Sequence, residues 1–162
     1  MQRFRPVSAI ALRTDHNSVG MNTVLELDFA IDRSGRVEPS HAALYKAFGD
    51  WRRSCYGTPV ASGALNHTGA VAVAPFSLEV TAPTTVDRVV LAEDQRHGQR
   101  ILQYRVTVKE TGAVFANGTA VGNKRILLGA NVSGTLRLEV LSTALGLPPL
   151  VTMGAYAPCP SG

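Results

Sequence analysis

Two pairs of carboxylates stand close enough in the sequence to act together as acid and base: Glu26 with Asp28, and Glu93 with Asp94. Two carboxyl groups held close together, one ionised and one kept protonated, can divide general acid and base roles between them. Glu26 and Asp28 alternate with Leu25, Leu27 and Phe29, so on a strand they project together from one face. A solvated or hydrogen-bonded strand face has the same spacing and is the commoner arrangement. Glu93 and Asp94 are adjacent and would point to opposite sides of a strand. With Arg96 and Arg100 just behind, they read as loop acids in surface ion pairs, which add little stability. Glu93, Asp94, Arg96 and Arg100 also form a planar, polar set of the kind that holds sugars, with no aromatic platform beside it.

Other chemistries find less support. The histidines stand singly at 16, 41, 67 and 97, without cysteine or carboxylate at metal-ligand spacing, so no zinc site is expected. Cys55 lies on an apolar helical stripe and reads as core packing, which argues against a Cys-His nucleophile. Cys55 and Cys159 could pair in an oxidising compartment or remain two buried thiols. The glycines follow strands into turns, so no phosphate-cradling loop opens a helix. Three sequons, at Asn66, Asn117 and Asn131, are glycosylation candidates and point weakly outside the cytosol; the same residues are ordinary turn chemistry.

The elements that would carry these residues divide the chain. Residues 24–29 read as a strand and residues 31–36 as a turn. A helix is expected over about 39–56, started by Pro39 and stopped by Gly57 and Pro59, with Leu44, Ala47, Phe48, Trp51 and Cys55 on one stripe. Residues 60–69, small and polar, read as a linker. From residue 70 to 162 short alternating runs (Phe76-Leu78-Val80, Val86 to Leu91, Leu102 to Val108, Leu136-Leu138-Val140) are separated by glycine-marked turns, which predicts an antiparallel β-sandwich. The chain is therefore mainly β. Its 162 residues suffice for a sizeable core, and 45% hydrophobic against 17% charged residues excludes a disordered chain. No apolar run reaches the roughly 18–20 residues of a membrane span. Val7 to Leu12 is too short for a signal-peptide core. The net charge of +4 is spread in pairs at most, which does not suit nucleic acid.

Two blocks of this sequence resemble the C-terminal end of the α-L-fucosidases, a family of retaining glycoside hydrolases. Ser18 to Arg36, with Met21-Asn22-Thr23-Val24-Leu25-Glu26-Leu27-Asp28, resembles the last barrel strand and its exit loop. Leu44 to Gly57, with Phe48-Gly49-Asp50-Trp51, resembles the last barrel helix. Glu93-Asp94, Gly98-Gln99-Arg100, Gly122-Asn123-Lys124-Arg125 and Leu136 to Val140 are similar to the family's sandwich at the expected spacing. Asp28 stands where the family usually has Asn, and the junction between Gly63 and Phe76 is shorter than the family's.

The resemblance implies that residues 1–59 are the end of a (β/α)8 catalytic barrel and residues 70–162 a jelly-roll, galactose-binding-like sandwich lacking its opening strands. It implies an enzyme that releases terminal α-L-fucose through a covalent intermediate, using two carboxyls about 5–5.5 Å apart and no cofactor. It places the nucleophile and general acid upstream of Ser18, leaving Glu26 and Asp28 as weak candidates and this chain alone inactive. It implies a secreted or lysosomal parent. The alternative is a stand-alone carbohydrate-binding jelly roll without hydrolytic activity. Without a barrel, Leu44, Phe48 and Trp51 would meet the missing barrel or drive self-association, and Trp51 is expected to be exposed in a monomer or covered by the sandwich.

Overall fold

The computed structural model describes residues 13–66, 75–146 and 149–159. Residues 1–12, the linker residues 67–69 (with His67 and Thr68 of the first sequon) and residues 70–74 lie outside the described residues.

Six antiparallel strands form one sheet: β1 (Ala61–Asn66), β2 (Phe76–Glu93), β3 (Ile101–Val108), β4 (Val114–Gly118), β5 (Arg125–Thr143) and β6 (Leu150–Tyr156). Their order is β1-β6-β2-β5-β3-β4. The long strands β2 and β5 do the folding. Phe76–Ala82 pairs with Gly134–Val140, and Arg88–Leu91 with Arg125–Leu128, with register shifts between Ala82 and Arg88. Pro83, which cannot donate to a ladder, sits in that irregular stretch, and Gly134, at φ +102°, lies opposite Ala82.

The first half of β2 stays with β5, β3 and β4, while the second half continues into β6 and β1. The bend brings the two ends of the sheet face to face. At Gly63 of β1 an added Cβ would lie 3.0 Å from Val80 and 3.1 Å from Leu78, in the other half of β2. One sheet thus closes into two packed layers. Val86, Val89, Leu91, Ile101, Tyr104, Val106, Leu138, Val140, Met153 and Ala155 are fully buried between them.

Residues 61–66, expected within a linker, are strand β1, paired residue for residue with β6 from Ala61↔Ala155 to Asn66↔Leu150. Their small side chains permit the close approach at Gly63 rather than marking a flexible join. Residues 24–29, expected as a strand, have no strand partner among the described residues. Their backbone lacks the neighbour a ladder requires. Phe29 instead lies on the helix, with ring centroids 5.4 Å from His41 and 5.5 Å from Tyr45. Asp32 closes the expected turn by accepting from the backbone N–H groups of Ser34 and Arg36.

The helix runs Pro39–Tyr56. Glu38 caps it by accepting from the N–H groups of Ser40 and His41, Pro39 fills its first turn, and Gly57 ends it. Of its stripe only Trp51 and Cys55 are buried; Phe48 is half-buried and Leu44 exposed. No helix among the described residues is long and apolar enough to cross a membrane.

Candidate functional site

Glu26 and Asp28 are both exposed, on a segment bounded by the bridges Met21↔Arg125 and Ile31↔Val37. Leu27 and Phe29 of this segment line an open groove of about 430 Å³ with the helix, completed by Val37, Ala42, Tyr45 and Lys46. Neither carboxylate is among the residues that line it. This stretch carries the apolar surface as well: Met21, Val24, Leu27, Ile31, Val37, Leu44 and Tyr45 are all exposed.

The Glu93–Arg100 loop is assembled, and its two acids have different tasks. Glu93 turns inward and is almost fully buried. Its Oε1 accepts from the backbone N–H of Arg100 at 2.6 Å and of Ile101 at 2.9 Å, closing the loop onto the first residue of β3. Asp94 accepts from the Arg96 backbone N–H, which caps the short 3-10 turn that follows, and pairs with the Arg96 guanidinium at 2.5 Å. That guanidinium raises its own proton affinity against Asp94 through the hydrogen bond and the opposite charge. Asn66, Asn117 and Asn131 are all exposed, at the end of β1, in β4 and in β5.

The densest gathering of charged and aromatic groups lies elsewhere, between the helix and the sandwich. Cys55 and Cys159 form a disulfide, settling the open choice. Around it pack Phe48, Trp51 and Tyr56, with Trp51 stacked on Phe48 at 5.9 Å and edge-on to His16 at 6.5 Å. Trp51 is thus buried by its own helix, His16 and the disulfide, without a barrel.

Asp15 and His16, in the helical stretch described at residues 13–17, are buried against this cluster. Asp15 accepts from Arg52 Nε at 2.9 Å, and His16 Nε2 bonds the Tyr56 hydroxyl. Arg88, buried on β2, pairs with Asp87 at 3.1 Å and donates to the carbonyl of Ala157; its guanidinium carbon sits 5.2 Å over the Tyr56 ring. Lys124 Nζ lies 5.8 Å from the same ring. Burial lowers the proton affinity of His16 and Lys124 and raises the pKa of Tyr56 far above the ordinary phenol range.

Asn22, at φ +65°, completes the joint: its Oδ1 accepts from the N–H groups of Asn123 and Lys124, while the Ile126 N–H donates to the Gly20 carbonyl. Sequence reasoning did not find this cluster. Its one signal was the charged pair Asp87-Arg88 inside the otherwise apolar run from Val86 to Leu91.

Comparison with solved structures gives the fold a precedent. A protein from Bacteroides thetaiotaomicron, described as an α-L-fucosidase, matches 95% of this chain at TM-score 0.81 and 25% identity. A glycoside hydrolase 29 family member from a rumen bacterium matches 96% at TM-score 0.74 and 26% identity. This chain has the architecture of the C-terminal portion of an α-L-fucosidase. A Ruminococcus gnavus family 29 fucosidase, solved with fucose, shares that fold at TM-score 0.75 and 16% identity. The chain spans 35%, 29% and 37% of these three proteins' own chains, about a third of their length. No family model matches the sequence, and no curated protein matches it.

Proposed function

We propose that this chain is the C-terminal portion of an α-L-fucosidase-like glycoside hydrolase that releases terminal α-L-fucose from glycans. The observation that carries this reading is a single superposition, at TM-score 0.81, that takes in 95% of the chain, so it includes both the helix and the sandwich. Within such an enzyme residues 13–57 border the catalytic barrel and the sandwich is an accessory jelly-roll module of the galactose-binding kind. The nucleophile and general acid lie outside these 162 residues. The exposure of Glu26 and Asp28, neither of which lines the neighbouring groove, supports that placement. The exposed apolar surface from Met21 to Tyr45 is where the rest of a barrel would pack, so the contact surface centres on Leu27, Phe29, Leu44 and Tyr45 with Phe48 at its margin, and excludes the buried Trp51. The Cys55–Cys159 disulfide supports a secreted or lysosomal parent.

Hydrolysis of an aryl α-L-fucoside by the purified chain tests this, with Glu26→Gln and Asp28→Asn run beside it. No turnover is expected from any of the three. Turnover abolished by either substitution would return the catalytic role to this pair and refute the placement.

The second reading is a stand-alone carbohydrate-binding sandwich, favoured by a core that closes without any barrel. Binding of free L-fucose or a fucosylated oligosaccharide, lost in Arg96→Ala and Arg100→Ala, would support it and locate the ligand at the Glu93–Arg100 loop.

A further inference from the structure

We propose that the joint between the helix and the sandwich is an acid-sensitive clasp, closed while the His16 imidazole is neutral and loosened when it gains a second proton. The proposal goes beyond the fucosidase reading and does not depend on it. Its basis is geometric. His16 is buried where the first described section of the chain packs on the helix, beside the β2 residues Asp87 and Arg88. From its own turn it faces Asp15. The helix contributes Trp51, Tyr56 and, through Asp15, Arg52. β2 contributes Asp87 and Arg88, and the loop before β5 places Lys124 Nζ 5.8 Å from the Tyr56 ring.

Burial keeps the Tyr56 hydroxyl protonated, and in the tautomer of neutral His16 that carries its proton on Nδ1 this hydroxyl donates to Nε2. A proton on Nε2 reverses that bond and leaves the hydroxyl proton to find another acceptor. It also adds a fourth cation to Arg52, Arg88 and Lys124. The two carboxylates in the cluster, Asp15 and Asp87, are already engaged by Arg52 and Arg88.

The direction of the pH effect follows. Burial, the largest influence, lowers the His16 pKa below its ordinary 6.5, and Asp15 opposes this only in part. In the unfolded chain His16 takes its proton near 6.5, so the joint is at full strength above that pH and weakens as the pH falls below it. The disulfide keeps the helix tethered, so the expected change is local loosening around Trp51 rather than release of the helix.

Trp51 is the single tryptophan of the chain, which makes it a native reporter. Its emission should move to longer wavelength between pH 8 and 4.5 with a midpoint below 6.5, while the far-ultraviolet β signal holds. His16→Gln should abolish that transition and His41→Gln should leave it intact. An emission that does not change with pH, or a transition that persists in His16→Gln, overturns the proposal. Should His16→Gln fail to fold, the His16 ring resonances of the unaltered protein decide: titration below 6.5 coupled to Trp51 supports the clasp, and titration without any Trp51 response refutes it.

Discussion

Removing the disulfide with the double substitution Cys55→Ser and Cys159→Ser tests how the two parts of the chain are held together. The bridge spans 104 residues and joins the helix to the chain just beyond β6. Closing a loop of that length removes about 16 cal/mol/K of chain entropy from the unfolded state, or about 4.7 kcal/mol at 25 °C, as an upper figure. Because only Trp51 and Cys55 of the helix are buried, little else besides the joint around His16 opposes its departure. Urea unfolding should be followed twice, by Trp51 emission and by far-ultraviolet circular dichroism. At an m-value of about 2 kcal/mol/M the midpoint should fall by roughly 2 M. The tryptophan curve should fall first, since the helix can leave while the sandwich core stays closed. A drop under about 0.5 M, which at the same m-value is about 1 kcal/mol, would refute the reasoning. So would two titratable thiols in denatured protein that had never been reduced.

Four further substitutions probe the sandwich, each read from denaturant midpoints. Leu138→Ala removes a fully buried side chain shared by both layers and should cost about 2–5 kcal/mol. Glu93→Ala strips the acceptor from the N–H groups of Arg100 and Ile101 and should cost about 1–3 kcal/mol, whereas Arg96→Ala, which breaks only an exposed pair, should cost under about 1 kcal/mol. Gly118→Ala would place a Cβ 2.5 Å from the hydroxyl of fully buried Tyr104; the ring cannot yield, so a loss of about 1–3 kcal/mol is expected.

The parts of the fold that were legible in the sequence share a cause. Leu136, Leu138 and Val140 alternate because one face of β5 is buried, and Phe48, Trp51 and Cys55 recur at helical spacing because that end of the stripe packs around the disulfide. Periodicity reports one-sided burial and nothing more. Leu25, Leu27 and Phe29 alternate in the same way, yet the surface they meet is the helix through Phe29, with no strand beside them to complete a sheet. The error at residues 61–66 runs the other way. Ala61-Ser62-Gly63-Ala64 has no apolar alternation because β1 lies so close to Leu78 and Val80 that a Cβ at Gly63 would crowd both, so close packing produced the composition of a linker. Thr81-Ala82-Pro83-Thr84-Thr85 likewise reads as a break between two strands, whereas it is the bend that lets β2 serve both layers.

The polar joint was illegible for a different reason. Asp15, His16, Tyr56, Arg88 and Lys124 come from four separate stretches of chain, and no local pattern requires them to meet. What brings them together is the disulfide at residues 55 and 159 and the clip of Asn22 onto the loop at 123–124. Both connections run between the helix-bearing section and the sandwich. They bind the two sections into one covalently and electrostatically linked body. The exposed apolar surface from Met21 to Tyr45 is then carried on the sandwich as a fixed face, and the groove it lines keeps one orientation relative to the sheet.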